Sequence, residues 1–177
     1  MFQRLFRTRP ARIAGQAIYA SAAGQSRQAA FYRALGVADT AEGRFELLTL
    51  HVALIVLRLR GCGEAAAETS QHVFDTFVSA LDSALREMGV GDLVVGKRMK
   101  KLGAAFYGRV RAYDAVLGAE PDPDGLRELL ARTVLEGRDG APAQALSDYT
   151  IGAAKSLGEQ PLQSLLEGRA DWPAVVA

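Results

Sequence analysis

Apolar residues recur at helical spacing almost from end to end of the chain. Within Val73–Met88, the residues Phe74, Phe77, Val78, Leu81, Leu85 and Met88 fall on one stripe, with Asp75, Ser79, Asp82 and Arg86 outside it. That is the signature of an amphipathic helix. Met99–Leu117 repeats the pattern with Met99, Leu102, Phe106, Val110, Tyr113 and Leu117. Phe45–Leu59 is apolar on every side. A helix of that kind must be surrounded by others, so it is predicted as the central helix. Helix ends are also legible. Asp39 with Glu42 three residues on resembles a capping box. Asp122-Pro123 reads as an N-cap followed by proline at the first helical position, and Pro142 and Pro161 suit similar places. Gly36, Gly89, Gly118, Gly158 and Gly168 stand where helices should stop. The pattern predicts an all-α, single-domain bundle, with amphipathic helices packed around a buried helix at about residues 45–59.

One glycine cluster allows a rival reading. Leu54–Leu59 runs into Gly61-Cys62-Gly63-Glu64-Ala65-Ala66, which spells the GxGxxA dinucleotide pattern. That fingerprint needs a strand before it and further strand–helix units after it. The apolar run is about twice the length of a typical strand, and no second strand candidate follows. A glycine helix stop before an alanine-rich helix start is the better account.

Composition is that of an ordinary globular chain: 177 residues, 49% hydrophobic and 23% charged. One domain is expected at that length. The longest apolar run, Leu47 to Leu57, has 11 residues, against about 20 for a membrane-spanning helix. The expectation is a soluble or at most peripheral protein. The single cysteine, Cys62, excludes an intramolecular disulfide and fits a reducing compartment. The 17 arginines against 4 lysines read as codon bias.

A net charge of +1 conceals strong local asymmetry. Residues 1–12 carry four arginines and no acid; residues 1–25 are expected to be a basic, partly helical arm ahead of a domain at 26–177. Residues 86–111 hold seven bases and two acids, whereas 112–177 hold five bases and eleven acids.

Catalytic constellations are sparse. There is no GxSxG elbow and no Walker motif, and two histidines are too few for a histidine-built metal site. Glu68 and His72 share a helical face, but no second such pair exists for a di-metal site. His51, inside the all-apolar helix, reads as a satisfied core histidine. No cofactor is expected. An enzyme built on His51, His72 or Tyr107 stays open only if those side chains converge on a pocket.

The basic middle segment carries the functional expectation. Gly89 ends one helix, and Asp92 is placed to cap the next. At about 100° per residue, the apolar stripe of Met99–Leu117 falls within about 80°. Lys97, Lys100, Lys101 and Arg111 cluster on the opposite side. Arg98 and Arg109 lie at one margin beside Phe106, and Tyr107 lies at the other. Only Asp114 is a nearby acid on that face, so a positive patch of several kT is expected. It suits an acidic protein surface, RNA phosphates or anionic lipid headgroups.

LREMGVGDLVVGKRMKKLGAAFYGR (Leu85–Arg109) resembles the signature of the ubiquinol–cytochrome c chaperone family. FELLTLHVALIVLRLR (Phe45–Arg60) is similar to that family's central helix, and QPLQSLLEGRADWP (Gln160–Pro173) to its closing stretch. The similarity extends over roughly residues 26–177.

The resemblance implies a noncatalytic assembly factor for complex III, whose partner is cytochrome b or another complex III assembly protein. It implies a bacterial homologue acting in the cytoplasm, peripherally at the inner membrane, or in the mitochondrial matrix of a eukaryote. DNA is not among the expected partners, and ribosome contact is left open. Such a chaperone must offer apolar surface together with polar groups that set orientation. A glycine-broken helix pair, Met88 to Gly96, is expected to leave a groove. Met88, Val90, Leu93, Val94 and Phe106 are predicted to border it, with Asp92 and Tyr107 nearby. Lys97, Arg98, Lys100, Lys101 and Arg109 are predicted as its basic rim. The alternative is a bundle enclosing an apolar ligand such as quinone or lipid.

Overall fold

The computed structural model describes residues 2–175, apart from the side chains of residues 2–9 and of Leu93. The described residues form eight helices and no strand: α1 (Phe2–Ser26), α2 (Ala29–Arg33), α3 (Ala41–Leu59), α4 (Glu64–Glu87), α5 (Asp92–Leu117), α6 (Pro123–Thr133), α7 (Ala141–Glu159) and α8 (Leu162–Leu166). The all-α single-domain expectation holds, and α3 is the central helix. Leu47, Leu50, Val52, Ala53 and Ile55 are fully buried because α1, α4, α5 and α7 all pack on α3.

Local chemistry sets the ends of these helices. The N-cap of α3 is Thr40, whose Oγ1 accepts the Gly43 N–H at 3.0 Å. The expected cap is thus displaced by one residue: Asp39 accepts from Arg44 Nε at 2.6 Å instead. The GxGxxA segment is a helix stop and start, with Gly61 at φ 74° and Gly63 at φ 96° capping α4. At the end of α4, Gly89 (φ 77°) donates to Arg86 O and Val90 donates to Leu85 O. This pair of bonds is a Schellman motif, which satisfies carbonyls that the helix end leaves open. Asp122 caps α6 as expected, accepting the Gly125 N–H at 2.9 Å. Gly158, by contrast, lies inside the last turn of α7.

The segment read as an N-terminal arm is one long helix continuous with the core. Ile18 and Ala22 are fully buried, and α1 packs on α3, α4 and α8. The arm's basic residues Arg4, Arg7 and Arg9 lie outside the described side chains. The crossing of α1 and α4 is close at Gly15, where an added Cβ would stand 2.6 Å from His72 Cβ and 3.0 Å from Thr69 O.

Two polar devices lock the helices together. Arg58, near the end of α3, donates from Nε to Leu157 O (2.7 Å) and from Nη2 to Gln160 O (2.9 Å). A cation thus meets the open carbonyls at the C-terminus of α7. The second device centres on His51. Its Nδ1 lies 2.8 Å from Leu47 O, which can only accept, so Nδ1 carries the proton and Nε2 accepts from the Tyr149 hydroxyl at 2.8 Å. Gln25 Nε2 donates to Tyr149 Oη (3.0 Å) and to Pro173 O (3.1 Å). Trp172 packs edge-on to His51 at 5.0 Å and donates from Nε1 to Ser21 Oγ at 3.0 Å. This network ties the C-terminal stretch, α1 and α7 to the central helix.

Candidate basic face at the α4–α5 corner

The corner forms because the Schellman turn at Gly89 reverses the chain and Gly91 starts α5 as its N-cap, with Val95 N–H bonding to Gly91 O. Asp92 does not cap; it is the first residue of α5 and pairs with Arg86. Arg86 also holds Asp82 Oδ2 at 2.6 Å, so one guanidinium joins the end of α4 to the start of α5. Gly96 lies inside α5, which confines the break in the helix pair to residues 88–91.

Met88 (61% exposed) and Val94 (47%) stand open at this corner, and Tyr107 (53%) is exposed farther along α5. Val90 is half-buried and Val95 is buried. Leu93 lies outside the described side chains. Lys97, Arg98, Lys100, Lys101 and Arg111 are exposed. None of them forms an ion pair with a described residue, and Asp114, the acid expected near them, is instead held by Arg60. The acidic C-terminal third therefore does not neutralise this face.

Two predicted residues are engaged within the molecule, Phe106 in the core and Arg109 half-buried. Phe106 is 1% exposed and packs on Phe74 (5.1 Å), Phe77 (5.2 Å) and Tyr107 (5.6 Å) between ring centroids. It plugs the α4–α5 seam and borders no open surface. Its burial follows from its place on the apolar stripe, which also carries buried Tyr113. Arg109 makes a two-pronged bond to Glu46 on α3, with Nε–Oε2 and Nη2–Oε1 both at 2.8 Å. The fork is engaged within the molecule, in the geometry that guanidinium and carboxylate favour, and so Arg109 is a fastening of α5 to α3.

Exposed on the outside are thus Met88 and Val94 at the corner and Lys97, Arg98, Lys100 and Lys101 in the N-terminal half of α5, with Tyr107 farther along the same helix. Tyr107 packs against Phe74 with a centroid separation of 5.2 Å and the rings tilted by 43°. Phe74 was readable as part of the α4 stripe, but its pairing with α5 carries no sequence signal.

The three candidate catalytic side chains do not converge. His51 is sealed in the core, and burial pushes its pKa down to about 4. His72 lines an open groove between α1 and α4 with Arg12, Gln16 and Asp75, and Tyr107 is on the outer surface of α5. That groove, of about 440 Å³, and a second depression of about 480 Å³ beside Arg27 and Tyr32 are lined largely by polar and charged groups. Neither is the enclosed apolar cavity that a quinone or lipid would require. Among the described residues, no helix is long and apolar enough to cross a membrane.

Comparison with known proteins places the chain. The family model described as "Ubiquinol-cytochrome C chaperone" matches residues 33–172. Among solved structures, the chain is similar to the crystal structure of the Cbp3 homolog from Brucella abortus. The TM-score is 0.87 with 34% sequence identity, over 99% of this chain and 98% of that one. No curated protein matches. The resemblance of Leu85–Arg109, the agreement of the whole fold and the family match converge: this chain belongs to the ubiquinol–cytochrome c chaperone family.

Proposed function

We propose that this protein is a noncatalytic assembly chaperone for the ubiquinol–cytochrome c reductase. It holds cytochrome b, or a second assembly protein that accompanies it, at the α4–α5 corner. The observation that carries this reading is the set of exposed cations Lys97, Arg98, Lys100 and Lys101, none in an ion pair with a described residue, that follows exposed Met88 and Val94 along the chain. Apolar contact supplies affinity, and a surrounding positive field speeds encounter and orients the partner. In a bacterium the work would be done on the cytoplasmic side, peripherally at the inner membrane, where the same cations lie close to anionic headgroups.

Deleting the gene should lower assembled complex and its b-type haem absorbance while other respiratory enzymes persist; an unchanged b-haem signal would count against the reading. The surface is tested by replacing Lys97, Lys100 and Lys101 with Glu and measuring how much cytochrome b co-purifies from native membranes. Recovery is expected to fall at least tenfold, and recovery equal to wild type would remove the basis for docking here. Arg109 is left unchanged in this variant because its guanidinium holds Glu46.

A further inference from the structure

A second cationic feature lies where α1, α2 and α3 meet. Arg27 follows the last residue of α1, Arg33 closes α2, and Arg44 sits in α3. With Ala29, Tyr32 and Asp39 they line the depression of about 480 Å³. The arrangement is anchored from beneath. Phe31 is fully buried, edge-on to Tyr149 at 4.8 Å and to His51 at 5.5 Å. The adjacent Tyr32 donates its hydroxyl to Ser26 O at 2.8 Å, drawing α2 against the end of α1. The arginines therefore stand on a braced floor, although their own side chains are exposed.

Charge decides what such a depression accepts. Asp39 is the sole acid lining it, and it is taken up by Arg44. Arg27 and Arg33 form no ion pair with a described residue. Three guanidiniums against one carboxylate leave an excess of two positive charges around one opening. Burial raises the Tyr32 hydroxyl pKa; Arg44 and Arg27 pull it down and Asp39 pushes it up, so two of these cations and the one carboxylate bear on the same point. Clustered guanidiniums repel one another, and a multiply charged oxyanion relieves that repulsion while using their paired N–H donors. With the Tyr32 hydroxyl already spent on Ser26, the free groups are almost all donors. The volume exceeds that of a bare tetrahedral anion, and the Tyr32 ring offers a wall for an attached organic group.

We propose that this depression is a binding site for a phosphate group, gripped by Arg27 and Arg33 and steered by Arg44. The site is separate from the basic face of α5 and does not depend on the function proposed above.

The test uses the full chain and two probes: inorganic phosphate by calorimetric titration, and vesicles of phosphatidylglycerol with phosphatidylcholine by co-sedimentation, against vesicles of phosphatidylcholine alone. The double variant R27Q/R33Q should weaken binding about tenfold or more. D39N should tighten it several-fold, because it removes the competing carboxylate and frees Arg44; a misfolded protein would not show that gain. In the phosphate titration, the triple variant Lys97→Gln, Lys100→Gln, Lys101→Gln should bind as wild type does; its vesicle binding is not used as a control, because those lysines face headgroups in the function proposed above. Loss of vesicle binding in the arginine variant identifies a lipid headgroup as the source; loss confined to inorganic phosphate identifies a free phosphate compound. Either supports the site. The proposal is overturned if wild type binds neither probe, if the arginine variant binds both as wild type does, or if the lysine variant loses as much inorganic phosphate binding as the arginine variant.

Discussion

His51 remains neutral in the interior because its two ring nitrogens have complementary partners, a carbonyl for the donor and a hydroxyl for the acceptor. Protonation would place a charge where water cannot reach it, which is why its pKa drops from 6.5 to about 4. The folded chain then binds fewer protons at this site than the unfolded chain, so stability is complete above pH 6.5 and falls as pH descends toward 4. The loss attributable to this residue is on the order of 3 kcal/mol. Urea unfolding at a series of pH values should show it, and His51→Gln should flatten the slope in that interval. An unchanged slope in the variant would refute the assignment. Tyr149→Phe leaves His51 Nε2 without its donor and should cost about 1–3 kcal/mol. That His51 is a core residue was legible from its all-apolar surroundings in the chain. Its partner was not, since Tyr149 lies 98 positions away and nothing local links the two.

Between elements, contact quality turns on single atoms at the crossings. Gly15 lets α1 approach α4 until no Cβ fits. Alanine there gains roughly 1 kcal/mol of helix propensity, but it meets a Cβ and a backbone carbonyl that cannot swing aside. Gly15→Ala should therefore destabilise by about 1–3 kcal/mol, seen as a lowered Tm; a raised Tm would show that the helices can separate at no cost. Arg58→Ala strips two charge-assisted bonds from the end of α7 and should cost about 1.5–3 kcal/mol. Helix ends were readable where glycine or proline marks them, as at Gly61, Gly89 and Asp122-Pro123. They were misread where a neighbour offered the same chemistry: Thr40 caps in place of Asp39 because its hydroxyl reaches Gly43 while Arg44 claims the carboxylate. The role of Arg58 was hidden because a cation capping another helix leaves no periodic trace.

Across the whole molecule, α5 does two jobs on two sides. Its inner side fastens it through Phe106 and Arg109, and its outer side displays cations. Neutralising Lys97, Lys100 and Lys101 should leave the melting temperature close to wild type, because no described partner is lost. Arg109→Ala strands the half-buried Glu46 and should cost about 2–4 kcal/mol, measured by chemical unfolding. Equal destabilisation by both variants would contradict the two-sided description. The cationic face was legible because Lys97, Lys100, Lys101 and Arg111 share one helix and one angular sector. The inward turn of Arg109 was not, since its partner Glu46 belongs to an element 63 residues earlier. The arginines beside Tyr32 escaped notice for a related reason: they come from three short stretches with no common period.

The chain has one tryptophan, Trp172, and its indole rests against the His51 imidazole while its N–H reaches Ser21. Its fluorescence is therefore a built-in gauge of whether the closing segment is seated on the central helix. Detachment should redden the emission as water reaches the ring. A spectrometer alone can then report, without label or tag, whether an added ligand or partner loosens the closing segment.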